Sequence, residues 1–330
     1  MLDFFMQLSL FTAKAFIILL VALLLLSGII AIISRSKIKA YGRLQIKNLN
    51  EKYQDTKEEL LREISSKKSF KQFLKTIKKE KKTKSKSAEK SKNIYVLNFN
   101  GDIKASGVTN LREEITGILS IATTKDEVVV RLESPGGLVN AYGLAASQLL
   151  RIREKNIPLT VIIDKMAASG GYLMACVANK ILAAPFSIIG SIGVIVQLPN
   201  FHRLLKEKHI DFEQHTAGEF KRTITLFGHN TQEAREKLQQ EIEEVHQLFK
   251  QLIMQYRPQV DMHKVATGEH WLGQQALDLQ LVDALQTSDT YLLEKNQTAN
   301  LYEICFQTKK TLGSRLTAAA NLLQSLFIYR

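Results

Sequence analysis

Apolar positions fall into three regimes along the chain. Between Ala15 and Ser34 they are nearly continuous, twenty residues without a charge and rich in Leu, Ile, Val and Ala. That run is long enough to cross a bilayer as one helix. Between residues 48 and 92 they are sparse, with Leu60, Leu61, Ile64, Phe70, Phe73, Leu74 and Ile77 at roughly helical intervals among charges. From Asn93 onward they come in short runs. Ile94 to Phe99, Glu127 to Leu132, Leu159 to Ile163 and Ile181 to Ala184 predict strands, with a helix near Leu111 to Ile121 and further helical stretches between. Alternation of this kind predicts an α/β fold with parallel pairing.

A second apolar stretch, Ile181 to Leu198, is broken by Pro185, Gly190 and Gly193. Two short buried strands with a turn around Ser191 fit it better than a membrane span. Thr231 to Tyr256 predicts a long amphipathic helix. Asn230 and Glu233 have the spacing of a capping box, and Pro258 lies just beyond the end. Leu312, Leu316, Leu322, Leu323 and Leu326 predict a final amphipathic helix. The chain thus divides into an N-terminal segment (1–14), a transmembrane anchor (15–34), a basic helical stalk outside the core (35–92), a main domain (93–290) and a helical tail (291–330).

The net charge of +13 changes this picture little, because it is concentrated. Residues 67 to 92 hold twelve lysines against Glu80 and Glu89. No zinc finger or aromatic-basic RNA motif accompanies them. The tract reads as a solvated stalk that senses anionic lipid headgroups, with no nucleic-acid partner. Ser34-Arg35-Ser36-Lys37 lacks the small-residue pattern of a cleavage site, so the anchor is expected to stay attached. Arg35, Lys37, Lys39, Arg43 and Lys47 follow it closely, and the positive-inside rule puts the body in the cytoplasm. Cys176 and Cys305 are the only cysteines, so no disulfide framework is expected.

The chemistry centres on Met166-Ala167-Ala168-Ser169-Gly170-Gly171-Tyr172. A buried strand is predicted before it and a short helix, Tyr172 to Asn179, after it. A serine at such a junction projects its hydroxyl from a tight turn, beside backbone N–H groups that favour developing negative charge. An alcohol still needs a base to take its proton. None of the seven histidines sits in a local catalytic signature or a His-Glu-x-x-His metal motif, though a Ser-His-Asp triad stays open. Lys221, in Ala217-Gly218-Glu219-Phe220-Lys221, is the other candidate; a lysine acts as base only when neutral, which burial favours. Glu133-Ser134-Pro135-Gly136-Gly137-Leu138 follows a predicted strand and offers a second N–H donor beside that of Gly170.

These runs, with Gly190-Ser191-Ile192-Gly193-Val194 and the closing segments Gly268 to Ala276 and Leu281-Val282-Asp283, resemble the signal peptide peptidase A family of serine peptidases. The anchor and lysine-rich stalk look most like its SohB branch. Gln280 departs from the pattern, which commonly has glycine there. The resemblance implies a ClpP/crotonase-like fold and a Ser-Lys dyad. Ser169 is then the nucleophile and Lys221 the base. Gly170 and Gly137 supply oxyanion donors, and Ser191 orients the lysine. It further implies homo-oligomers, no metal and no cofactor. Peptides or membrane-associated protein fragments such as signal peptides are the implied substrates. The location is the bacterial inner membrane with the peptidase domain on the outer side, opposite to what the flanking charges favour. Two alternatives compete: a crotonase-type acyl-CoA enzyme, which shares the two-donor oxyanion site, and a non-catalytic membrane scaffold.

Overall fold

In a computed structural model, residues 6–7, 9–21, 42–86, 92–218 and 220–307 are described. The strands are β1 (Arg43–Asn48), β2 (Asn93–Asn100), β3 (Glu127–Glu133), β4 (Leu159–Ile163), β5 (Met166–Ala168), β6 (Lys180–Ala183), β7 (Ile188–Gly190), β8 (His270–Leu272), β9 (Ala284–Leu285) and β10 (Asn300–Gln307). Seven of them form one sheet in the order β1-β10-β2-β3-β4-β6-β9, and β5, β7 and β8 form a small second sheet. From β10 across to β9 every pairing in the large sheet is parallel.

Parallel strands need crossovers, and helices supply them. The helices are α1 (Leu49–Ile64), α2 (Lys67–Lys86), α3 (Val108–Leu119), α4 (Val139–Glu154), α5 (Gly170–Ala175), α6 (His202–Glu207), α7 (Gln232–Tyr256), α8 (Met262–Val265), α9 (Gly273–Asp278) and α10 (Ser288–Lys295). The sheet is covered on both faces, as the period of two along its strands requires. Leu97, Phe99, Val128, Val130 and Leu132 pack with Leu111 and Ile115 of α3 and Tyr142 and Leu149 of α4. Ile94, Val96, Val129 and Ile162 face the other way, against Leu49, Tyr291, Leu292 and Leu301. All five residues of β4 are buried, which is why that strand reads as an unbroken apolar run.

One buried charge braces this second layer. Glu127 is almost wholly buried and accepts from Lys92 Nζ (2.7 Å), Thr160 Oγ1 (2.8 Å) and the Tyr291 hydroxyl. Burial opposes its ionisation, but the hydrogen bonds from Lys92, Tyr291 and Thr160 outweigh it and hold the carboxyl below its ordinary range.

Three expectations are altered. Part of the stalk belongs to the body: β1 lies at the sheet edge beside β10, Leu49 is buried, and Asn50 bonds Asn296, Ala299 and Leu301. Charges at Arg43 and Lys47 disguised it as solvated linker. The body also runs past residue 290, because β10 pairs with β2; Glu303, bonded to Arg131 and Asn98, masks the strand's apolar alternation. Finally, Thr231, not Asn230, caps α7, its hydroxyl accepting from Ala234 N (3.2 Å), while Asn230 is drawn away by Thr225 N (2.9 Å).

The second half of the expected anchor, 22–34, and the expected final helix around Leu312 to Leu326 lie outside the described residues. Residues 9–21 are helical with exposed side chains. Among the described residues no helix is long and apolar enough to cross a membrane.

Candidate active site

Ser169 sits between β5 and α5 with φ +51° and ψ −119°. A side chain held in that region costs about 1–3 kcal/mol, which the surroundings must repay. They do so through hydrogen bonds on both sides. Ser169 N donates to Gly190 O (2.8 Å), and Ser169 O accepts from Leu173 N (3.0 Å). The turn after β3 is stitched to β5 by Ser134 N to Met166 O (2.8 Å) and Ala168 N to Ser134 O (3.0 Å). The strained serine is therefore fixed by backbone, independent of its own side chain.

The glycine-rich turn presses directly against it. Gly136 has φ +87°, and a Cβ there would lie 2.8 Å from Ser169 Cβ and 2.7 Å from Gly170 N. Only glycine allows that approach. Gly170 in turn rests on the Tyr142 ring, to which a Cβ would come within 2.4 Å. The N–H groups of Gly137 and Gly170 have no acceptor among the described residues, whereas Gly136 N donates to Ser134 Oγ (3.1 Å). The partly exposed Ser169 thus has one unengaged donor on the residue after it, Gly170, and another on Gly137, next to the Gly136 that packs against it. That arrangement suits the oxyanion of a tetrahedral intermediate.

Ser191 follows β7 with φ +51°. Its N–H donates to Glu269 O (2.6 Å), and its hydroxyl has no partner among the described residues. The closing segments support these turns. Trp271 lies under Gly190. Asp283 accepts from Ile181 N (2.7 Å) and pairs with the buried Arg257 (2.8 Å). Gln280 takes φ +59°, so the turn that glycine would favour is kept at some strain.

Lys221 is placed differently. It is exposed, its N–H donates to Gly218 O (3.2 Å), and its ammonium has no partner among the described residues. It belongs to a long excursion in which no described residue from Gly193 to His229 is buried. Ile195, Val196, Phe201, Ile210, Phe212 and Phe220 are all exposed there. The excursion is nonetheless tied to itself. Phe201 N donates to Leu226 O (2.7 Å) and Asn200 Nδ2 to Thr225 O (2.9 Å), and Phe227 stacks on Phe201 (6.1 Å between centroids).

None of the seven histidines bonds to Ser169 among the described residues. Cys176, at the end of α5, is fully buried; desolvation pushes its thiol up to about 12, which leaves it inert. Ser134 and Tyr142 were not singled out as individual residues by sequence reasoning. A tyrosine in the small-residue first turns of α4, directly after the glycine turn, is the signal that could have found Tyr142.

A serine presented at a strand-to-helix turn beside two unengaged donors defines the acyl-transfer class, and comparison with known proteins gives the family. Residues 3–149 match "Peptidase family S49 N-terminal" and residues 151–302 match "Peptidase family S49". The chain belongs to this family of serine peptidases, and the expected α/β, ClpP/crotonase-like fold class comes with it. Relatives include the "Probable protease SohB" of Haemophilus influenzae, 49% identical over 317 residues (92% of this chain, 89% of that protein). The protein of the same name from Buchnera aphidicola subsp. Schlechtendalia chinensis is 46% identical over 306 residues, covering 89% of this chain and all of that one. Among solved structures, the 1510-N membrane-bound stomatin-specific protease with a substrate peptide aligns at TM-score 0.42 and 14% identity, over 69% of this chain and 99% of that one.

Proposed function

We propose that the chain is a membrane-anchored serine endopeptidase whose dyad is Ser169 and Lys221. The observation that carries this reading is the strained serine with two unengaged N–H donors on its neighbouring turns, Gly170 directly after it and Gly137 beside the packed Gly136. Ser169 Oγ attacks the peptide carbonyl carbon while neutral Lys221 Nζ takes its proton. The carbonyl oxygen, now negative, lies between the two donors. Collapse expels the amine, which receives the proton from Lys221, and water repeats the cycle on the acyl-serine.

Lys221 in the single chain is solvated, and a solvated ammonium is a poor base. The proposal therefore requires a neighbouring copy to cover the excursion, carry Lys221 to Ser169 and desolvate it, with Ser191 holding the amine. Exposed apolar side chains along the same excursion support burial of that surface. Residues 15–34 serve as the anchor in a bacterial inner membrane, and the lysine-rich α2 lies on anionic lipid. Substrates are peptides or membrane-associated protein fragments such as signal peptides.

The test is hydrolysis of an apolar fluorogenic peptide by Ser169→Ala and Lys221→Ala, with folding followed by circular dichroism. Both should lose at least ~10³-fold in kcat with unchanged spectra. Turnover comparable to wild type in either variant removes that residue from the dyad.

A further inference from the structure

Beneath the glycine turn runs a buried chain of hydroxyls. Ser134 and Tyr142 are both fully buried. Their oxygens are 2.6 Å apart, and Tyr142 Oη lies 2.8 Å from the carbonyl oxygen of Asp102. A carbonyl only accepts, so the Tyr142 proton points at Asp102. Ser134 must then donate to Tyr142 Oη, and its remaining capacity accepts the Gly136 N–H at 3.1 Å. The direction of every bond is fixed: Gly136 N–H to Ser134, Ser134 to Tyr142, Tyr142 to Asp102. Burial keeps the Tyr142 phenol above its ordinary range, so it stays a neutral donor.

Both oxyanion donors depend on this chain. Engaging the Gly136 N–H sets the peptide plane of the turn and leaves the next N–H, on Gly137, free. The Tyr142 ring is also the surface on which Gly170 rests. One side chain thus touches the support of each donor, from opposite ends of the site. The Asp102 end is itself anchored, since its carboxylate accepts from Ser106 N (2.8 Å) and Ser106 Oγ (2.8 Å).

We infer that Tyr142 and Ser134 are positioning residues that set the oxyanion hole by holding Gly137 and Gly170 at the right separation. This inference rests on the assignment of Ser169 as nucleophile. It concerns rate, not binding, because the oxyanion exists only after attack.

The test uses the full chain with Tyr142→Phe, which keeps the ring under Gly170, and with Ser134→Ala. Each should lower kcat by about 10- to 100-fold, somewhat less than deleting a donor outright, with KM within about twofold. Affinity for a peptide aldehyde, whose hemiacetal oxygen takes the oxyanion position, should fall by a similar factor. The double variant should be no worse than about twofold below the poorer single, because the two hydroxyls act as one chain. Unchanged kcat and aldehyde affinity in Tyr142→Phe, with Ser169→Ala inactive, overturns this inference alone. Losses that match the unfolded fraction by circular dichroism overturn it too, by showing a merely structural role. Full turnover in Ser169→Ala overturns both this inference and the nucleophile assignment.

Discussion

The proposed nucleophile and its proposed base live in opposite surroundings. Ser169 is held by backbone hydrogen bonds to Gly190 of β7 and from Leu173 of α5, with Gly136 packed against it, over a core in which Tyr142, Ala167 and Tyr172 are sealed from water. Lys221 lies in a stretch of more than thirty residues with nothing buried among those described. Yet the stretch is self-bonded and apolar, which is what a segment shaped for contact looks like. On the proposed reading, the difference teaches that one half of the chemistry is finished when the chain folds, and the other half would be finished by assembly. In that reading the single chain holds the Gly137 and Gly170 donors unengaged while Lys221 stays exposed.

That comparison can be broken from the excursion side. Ile195→Asp or Phe201→Asp puts a charge on the exposed apolar surface without touching the core. We expect activity to fall ~100-fold at fixed protein concentration, a shift of size distribution toward protomers, and a melting temperature within a degree or two of wild type, since surface changes of this kind cost under ~0.5 kcal/mol of folding free energy. Gel filtration with parallel activity assays decides this. Full activity in a dispersed variant would end the assembly argument.

From the body side the opposite pattern is expected. Glu127→Gln leaves the buried Tyr291 and the part-exposed Lys92 without their ionised acceptor, and should cost ~1–2 kcal/mol by urea denaturation, while turnover per folded molecule is unchanged. The sign with pH follows. The folded carboxyl titrates below its unfolded value, so its contribution is complete above about pH 4.3 and is lost as pH falls through the lower folded value. Wild-type stability should therefore drop on acidification in that window more steeply than that of Glu127→Gln. Parallel curves would show that Glu127 is no linchpin of the second layer.

The smallest expected effect is at Gln280. Glycine there relieves the left-handed strain but adds disorder to the unfolded chain. The net should be a gain of up to ~1 kcal/mol in stability with activity unchanged. A loss would mean the Gln280 side chain matters beyond its backbone.

Much of the body was legible in the sequence because its strands are buried on both faces. Leu159–Ile163 matches its predicted bounds, and β2 and β3 differ by a residue or two. Where the signal was mixed, it failed. The edge strand β1 and its neighbour β10 carry Lys47 and Glu303, paired to each other at 3.4 Å, and charges that satisfy one another across strands look like solvated linker when read along the chain. At the site, Ser169 and the glycine turn could be read because their geometry is local. The hydroxyl chain through Ser134, Tyr142 and Asp102 spans forty residues and needed the fold. The exposed setting of Lys221 was not readable either, since the excursion that carries it has no local signal of burial or exposure.

The most direct test labels the serine as the assembly state changes. A fluorophosphonate probe is added to the detergent-solubilised protein across a dilution series, the species are separated by size, and the adduct is mapped by mass spectrometry. The account predicts modification of Ser169 in assembled species, little in protomers, and none at any size in Lys221→Ala. Labelling of protomers at the assembled rate, or of Lys221→Ala at the wild-type rate, would contradict it.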